Sequence, residues 1–557
     1  MVEPSMDRRA FLGRSAAVAG AVALSGAAAT GLAGCGSDAG QSTTATSAGA
    51  GVTGKPVRGG SITIGTMAEI DGLSPSQNRW DTNGLLYANT IYDPLMAVAV
   101  DGTIQPYLAK SLTPNAANDQ WTMTLRPGVL FHDGSALDSA VVKANFEALR
   151  TSPLTGGALT GITSVATPDA MTVVFTLREP TTGFAAGLTT QVGYVVSQST
   201  LDQTAASPGK QLTPVGTGPF VFGDWQPNGH FTATRNPHYW QPGLPHLDQV
   251  TFRPIVDTVQ RENSLRTGAV DAIISIDSQT YQHFKDRAGY QSFYETSPVV
   301  GGPTMGFIML NCVRAPTNDP KLRLALAKAT DQRSIQKVFG GGPVHMIDGL
   351  FLPESPYYRP TGYPRHDPSG AAALIRAYTA QHGQPAIELT TTPDPRVTQL
   401  IQVIQQMWTR VGIKASISVV QQADGIVNLV EGNFQAAPSA MFGAVNPDLN
   451  YPWLSTTTVQ PVGTIGLNFA RNSDPVIETA LRAGRSTLDS ATRIAAYRTV
   501  NERLAQDLPY VWIGRDVFPF AATQRVQGIR RRTLPDGTPG YAYNEGVFFP
   551  ANLWLSA

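Results

Sequence analysis

The chain has 557 residues, of which 42% are hydrophobic and 15% charged, and its 41 basic side chains are balanced by 41 acidic ones. That balance argues against nucleic acid as the main partner, which would favour a basic patch or stripe. Two cysteines in this length exclude a disulfide-built scaffold.

The first element is an export signal. Asp7-Arg8-Arg9-Ala10-Phe11-Leu12 and Arg14 precede a soft apolar run from Ala16 to Ala29. A membrane-spanning helix needs about 20 strongly apolar residues, and this run is mostly Ala, Gly and Ser. Arg8-Arg9 followed by Phe11-Leu12 resembles a twin-arginine signal. Asp7 stands where a hydroxyl residue is commoner, which leaves the Sec route open. Leu32-Ala33-Gly34-Cys35 resembles the lipobox of bacterial lipoproteins. Small residues at 33 and 34 admit a peptidase, and the Cys35 thiol becomes a thioether to a diacylglyceryl group. Cleavage leaves Cys35 as an N-terminus able to take a further acyl chain, and two or more chains anchor stably. Residues 1–34 are therefore expected to be the signal and 35–57 a tether. Gly36 to Gly54 is nearly all Gly, Ser, Thr and Ala, with a reach of roughly 25 Å. Gly49, Gly54 and Lys55 mimic a phosphate loop, but Pro56 stands where Ser or Thr would hold magnesium. Cys312, the other cysteine, has no partner in the mature chain and reads as a small buried hydrophobe.

Residues 58 to 180 read as strand-rich. Ser61 to Ile64 alternates, as does Trp121 to Leu125, which ends at the turn pair Pro127-Gly128. Met171 to Leu177 is a third strand, and Ser139 to Leu149 a short helix. From about 306 the pattern changes. Asp319-Pro320 starts a helix with a capping carboxylate and a proline in the first turn. Leu322, Ala325, Leu326 and Ala329 continue it, and Gly340-Gly341-Gly342 ends it. Ile387 to Thr391 is a strand. Val397, Leu400, Ile401, Ile404, Trp408 and Val411 form one helical stripe closed by Gly412. Ile413 to Val419 alternates as a strand, Ile426 to Val430 suggests a helix, and Ala436 to Phe442 a strand. This order implies a parallel sheet with right-handed crossovers. Asp474-Pro475 and Ala491 to Ala505 give two more helices. The apolar stretch Pro509 to Phe520 is expected to return to the first half. A cleft between two such lobes is where a ligand belongs.

Catalytic patterns are sparse. The eight histidines are scattered, and none forms HExxH. His230, His238 and His246 recur every eight residues, but Pro237, Pro242 and Pro245 break any common helix face. There is no GxSxG elbow. Ser334-Ile335-Gln336-Lys337 matches SxxK late in the helix expected there, without SDN or KTG elsewhere. It leaves a serine acyl hydrolase using Ser334 and Lys337 as an alternative of another class. Triads assemble in space and can escape such a scan.

Three blocks carry a resemblance. Pro106 to Leu112 and Trp121 to Gly134 ("WTMTLRPGVLFHDG") form the first. Pro214 to Phe220 ("PVGTGPF") with Arg235 to Trp240 ("RNPHYW") form the second. Asn311 with Asp319 to Arg333 forms the third. In this order, from about 58 to 550, the chain resembles the family 5 solute-binding proteins of ABC importers, typified by dipeptide- and oligopeptide-binding proteins. Its Ala, Gly, Thr, Pro and Arg usage suggests a high-GC actinobacterial source.

The resemblance implies an α/β, two-lobe periplasmic-binding-protein-like fold (type II, cluster C) with an extra strand-rich domain inserted in lobe one. Lobe one would take 58–92, 214–305 and 516–557, the insert 93–213, and lobe two 306–515. It implies a monomeric lipoprotein, not an enzyme, with no resident cofactor. The protein would be lipid-anchored on the outer face of the cytoplasmic membrane. Its partners would be a permease, an ATPase and a peptide or peptide-like solute. Haem, a metal chelate or an oligosaccharide are alternative cargoes, and a cell-wall interaction protein without cargo a further alternative. In peptide-binding members the ligand backbone pairs with exposed strand edges. Here one edge would be Met67, Ala68, Glu69, Ile70 and Asp71. The other would lie in Met441 to Leu449, with Phe442 in place of the pocket tryptophan, Gly443 and Ala444 offering backbone, and Asn446, Pro447 and Asp448 continuing the match. Val445 falls where peptide binders carry the aspartate that pairs with the ligand's α-ammonium. Either Glu69, Asp71 or Asp448 substitutes, or the ligand lacks a free amino terminus.

Overall fold

The computed structural model describes residues 54–78, 80–152, 155–207, 212–294, 305–339, 346–441, 446–515 and 517–557. The export segment, Cys35 and Phe442 to Val445 lie outside the described residues. Among those described, no helix is long and apolar enough to cross a membrane.

Strand Ser61–Thr66 alternates because Ile62 and Ile64 point into one core and are almost wholly buried. It pairs in parallel with Gln249–Pro254 on one side and Ala272–Ile274 on the other. His230–Arg235 and Phe220–Gln226 extend the sheet antiparallel at one edge. Phe520–Thr523 and Tyr290–Phe293 do so at the other, making seven strands. Helix Thr82–Ile91 supplies Tyr87 to the core on the Ile62 face, where its ring stacks on Phe252 at 4.4 Å. Leu265, Ile273, Phe284 and Ala521 form a smaller core on the other face.

A second sheet has five strands, in the order Lys414–Val419, Ala386–Thr391, Ala436–Met441, Met305–Leu310, Tyr510–Arg515. The strand–helix pattern at 386–441 yields parallel pairing of Ala386–Thr391 with both Lys414–Val419 and Ala436–Met441. Both faces are covered. Ile308 and Leu310 join Leu389, Ile401, Ile404 and Trp408 on one side. Phe307 and Met309 join Leu481, Tyr497 and Trp512 on the other. A third sheet, of four antiparallel strands, runs Ala109–Pro114, Gln120–Leu125, Thr172–Leu177, Ile162–Asp169. Helix Ser139–Thr151 buries Val142, Phe146 and Leu149 in its core.

Two expectations change. The helix expected from Asp319 to Gly340 is two helices, Pro320–Ala329 and Gln332–Phe339. Thr330 is extended, and Asp331 starts a new N-terminus by accepting the Ser334 N–H at 3.2 Å. Ser334 is therefore in a first turn, not late in a helix. The apolar stretch 509–520 is likewise two strands, one in each large sheet. Pro519 cannot donate to a ladder, so a continuous strand is excluded there.

Two of the three family-like blocks converge on one buried carboxylate. Asp93, 3% exposed, accepts hydrogen bonds from Trp240 Nε1 (2.8 Å), Tyr239 Oη (3.1 Å) and Thr217 Oγ1 (3.3 Å). Tyr107 reaches Tyr239 Oη at 3.3 Å, and Gln241 donates to Tyr239 Oη at 2.9 Å. His132 of the first block contacts the Gly218 carbonyl at 3.0 Å and accepts the Gly216 N–H at 3.3 Å. Gly216 is required by close approach, since a Cβ there would sit 2.1 Å from the Ile91 carbonyl oxygen. These motifs form a seam joining the four-stranded sheet to the seven-stranded one.

Burial pushes the Asp93 carboxyl up to about 7, against the pull of its donors and of Arg532. The folded state thus holds a proton that the unfolded chain, near 3.8, releases. The stabilisation is complete below about pH 4 and disappears as pH rises through about 7. Denaturant unfolding across this window is expected to show stability falling with pH, and a flatter slope in Asp93→Asn. Gly216→Ala is expected to cost at least about 2 kcal/mol, because backbone must move; the same unfolding measurement checks it.

Candidate functional site

In open α/β sheets, ligands gather at the carboxyl ends of parallel strands. At that end of Ser61–Thr66 the chain turns through Met67 to Asp71. The Met67 N–H donates to Asn83 Oδ1 at 3.2 Å. The Glu69 carboxylate accepts the N–H of Ile70 at 2.9 Å and that of Asn228 in the turn after Phe220–Gln226. Ile70 is buried and Asp71 exposed, with Asn78 Nδ2 donating to the Asp71 carbonyl at 3.0 Å. Gln191 fastens the following loop, donating to the carbonyls of Pro75 and Asn78 at 2.7 Å each. A backbone edge held this firmly presents its remaining groups with little ordering cost.

The second predicted edge follows strand Ala436–Met441. Phe442, Gly443, Ala444 and Val445 lie outside the described residues, and the chain resumes at Asn446. Asn446 Oδ1 caps the turn Pro447–Asn450, accepting the Asp448 N–H at 3.0 Å and Arg493 Nη2 at 3.0 Å. Asp448 faces inward: it is 5% exposed and 3.3 Å from Arg485 Nε. Burial raises its carboxyl while Arg485 and Arg493 pull it down. Its charge lies beside that of Arg485, on the inner side of this turn. The structure thus groups Met67, Glu69, Ile70 and Asp71 on one turn, and Asn446 with Asp448 on another.

Sequence reasoning missed the contacts that clasp the sheets together. On one flank, Arg396 pairs with Asp277 at 3.0 Å and donates to the Ile276 carbonyl at 2.8 Å. Ser278 Oγ also donates to the Phe339 carbonyl at 3.2 Å. On the other flank, the loop after Thr172–Leu177 reaches helices Pro475–Arg485 and Ser490–Asp507. Arg482 pairs with Glu179 at 2.6 Å, the Thr182 N–H donates to the Arg485 carbonyl at 2.9 Å, and Arg493 contacts Thr182 Oγ1. Gly183 permits the close approach, since a Cβ there would lie 2.6 Å from the Asp448 carboxylate. Partners 61 to 311 residues apart leave no local sequence signal.

The other sequence candidates separate from this site. Ser334 is exposed, and its hydroxyl donates to Asp331 at 2.5 Å. Burial pushes the partly exposed Cys312 thiol up to about 11, leaving it protonated at neutral pH. Among the described residues, no three His, Cys, Asp or Glu side chains group as metal ligands.

Two helix-covered sheets, each with its own cores and clasped by polar contacts, define a ligand-binding protein of the α/β periplasmic-binding-protein fold. The family model for bacterial extracellular solute-binding proteins, family 5 (middle region), matches residues 103–461. The chain belongs to that family, whose members bind solutes and are not enzymes. A glutathione-binding protein of Pectobacterium atrosepticum is 26% identical over 481 residues, covering 83% of this chain and 90% of the relative. Among solved structures, the periplasmic binding protein AgaA of A. tumefaciens R10 with agropinic acid superposes with a TM-score of 0.78 at 24% identity, covering 89% of this chain and 99% of that one. DppA of Helicobacter pylori with the peptide STSA also gives 0.78, at 22% identity, over 90% and 99% of the two chains. The oligopeptide-binding protein AppA of Bacillus subtilis with a nonapeptide gives 0.77, at 19% identity, over 90% and 100%.

Asp448→Ala is expected to destabilise the fold by about 3 kcal/mol, because it leaves the Arg485 charge without its partner. A solvent-facing ligand residue would change stability by less than about 0.5 kcal/mol. Chemical denaturation separates the two.

Proposed function

We propose that this protein is the membrane-anchored substrate-binding lipoprotein of an ABC importer. It captures a peptide or peptide-like solute between two lobes and hands it on unaltered to permease and ATPase partners. The observation that carries this reading is the pair of separately cored sheets held together by polar clasps. Such a body opens without exposing a core, and a ligand touching both sides shifts it toward closure. Lobe one comprises 58–92, 214–305 and 516–557, the inserted domain 93–213, and lobe two 306–515. Cys35 carries the lipid, and the 35–57 tether keeps the binder near its importer.

Met67 to Asp71 offers one edge to the ligand, and Phe442 to Val445 with Asn446 the other. A buried ammonium without a counter-charge is costly, on the order of several kcal/mol, and Val445 offers none. The proposed cargo therefore carries no isolated α-ammonium. The relatives named as glutathione-binding proteins support this choice. In a γ-linked peptide the ammonium and a free carboxylate share one carbon, so that end neutralises part of its own charge.

Calorimetry is expected to show free α-linked dipeptides binding at least about tenfold more weakly than γ-linked or amino-blocked peptides, a difference of about 1.4 kcal/mol. Submicromolar affinity for a range of free dipeptides would overturn the cargo assignment. Native mass spectrometry of protein from its source is expected to show a copurified species of peptide mass. Arg396→Ala, which removes one partly exposed clasp, is expected to raise the ligand Kd by no more than about fivefold, since such pairs contribute at most about 1 kcal/mol.

A further inference from the structure

A concavity lies away from the two turns described above. It is an open groove of about 470 Å³, lined by Pro56, Arg126, Trp240, His246, Arg531 and Trp554 among others. Gly59 N–H donates to the His246 carbonyl at 2.8 Å, and Gly60 N–H to the Asp248 carboxylate at 2.9 Å. The parallel strands Ser61–Thr66 and Gln249–Pro254 therefore both start at this edge. Met67 to Asp71 lies at their other end. Six residues at about 3.3 Å each put roughly 20 Å of sheet between groove and ligand edge.

The groove is basic although the chain as a whole is neutral. Lys55, Arg58 and Arg531 are exposed at or beside it. Arg126 donates to the Tyr107 carbonyl at 3.0 Å, with its guanidinium 5.2 Å from the Trp240 ring. Arg235 pairs with Asp248 at 2.6 Å. Asp536 is the other carboxylate whose field reaches Arg126. His246 is held below its usual range by burial and by Arg235 and Arg58, so it adds no charge at neutral pH. Arg126 and Arg531 thus line an opening walled by the Trp240 and Trp554 indoles, with Arg58 and Arg235 close enough to His246 to act on it.

The chain itself marks what this edge faces. Pro56 lines the groove, and the described residues begin beside it, at Gly54. If Cys35 is lipidated, as proposed above, a tether of roughly 25 Å reach brings this edge nearer the bilayer than any other. Clustered basic residues beside an anionic leaflet are attracted to it, and tryptophan favours the headgroup layer.

We propose that this groove docks the phosphodiester headgroups of anionic phospholipids and seats the body on the membrane with its ligand cleft turned outward. The proposal rests on the anchored reading, and its test is built to separate the two. Full-length Cys35→Ser protein is mixed with vesicles rich in phosphatidylglycerol or made of phosphatidylcholine alone, and sedimented. Partition onto the anionic vesicles is expected to be about tenfold stronger and to vanish at high salt. Arg58→Glu with Arg531→Glu, both at exposed positions, is expected to abolish it without changing the melting temperature. Equal partition onto both vesicle types, or binding indifferent to the charge reversal, would overturn the proposal. Saturable one-to-one binding of inorganic phosphate or glycerol phosphate without vesicle binding would overturn it too, by showing a small-anion site. Mass spectrometry of the native amino terminus reports on Cys35 separately. An unmodified cysteine with vesicle binding retained removes the anchor and keeps the groove; a lipidated cysteine without vesicle binding does the reverse.

Discussion

The chain passes between the two large sheets twice, once between Phe293 and Met305 and once between Arg515 and Phe520. Among the described residues, every apolar core stays on one side of those passages. The seven-stranded sheet packs Ile62, Tyr87, Phe231 and Phe252, and the five-stranded sheet packs Leu389, Trp408, Trp512 and Tyr497 around itself. What joins them is polar and partly exposed. Exposed ion pairs contribute at most about 1 kcal/mol each. Moving a two-state body from one part closed in a hundred to ninety-nine requires about 5.5 kcal/mol of differential affinity. On the reading proposed above, a ligand contacting both edges would supply that difference.

Asp93 sets the geometry of one clasp. By gathering Thr217, Tyr239 and Trp240 it fixes the four-stranded sheet to the seven-stranded one. The loop carrying Glu179, Thr182 and Gly183 projects from that fixed base across to Arg482, Arg485 and Arg493. The four-stranded unit thus acts as a rigid arm of one lobe that grips the other. The turn it grips holds Asn446 and Asp448. Loosening the seam would therefore be felt at that turn through a chain of positioning contacts.

Local periodicity was the legible part of the fold. Ile401, Ile404 and Trp408 are fully buried where the helical stripe places them, and Ile62 and Ile64 where the alternation does. Proline after aspartate marked four helix starts correctly, at 319, 367, 394 and 474, although the sequence reading used only the first and last of them. Asp331, capping a second helix inside one apolar repeat, was missed because apolar spacing outweighed a single carboxylate. The roles of the motif residues were illegible for a different reason. Thr217 and Trp240 meet Asp93 across 124 and 147 positions, and no local pattern announces such a meeting. Nor does any local pattern announce the pairing of Asp448 with Arg485, which sits on a different element.

The polarity of one strand orders the functional surfaces. Parallel strands have two chemically distinct ends. The carboxyl end of Ser61–Thr66 opens into a turn of fixed backbone groups, the ligand edge proposed above, and its amino end adjoins the groove lined by Pro56. On the anchored reading proposed above, a binder held by its amino end would need its cargo face free to meet both solute and importer. Placing the two on opposite ends of the same sheet meets that need without any moving part, because a hydrogen-bonded sheet of roughly 20 Å does not fold back on itself. Balanced overall charge is compatible with this arrangement when the cations are segregated, as they are around Arg58, Arg126 and Arg531. Neutrality of the whole keeps the protein from adhering indiscriminately, and the local excess leaves one edge able to respond to an anionic surface.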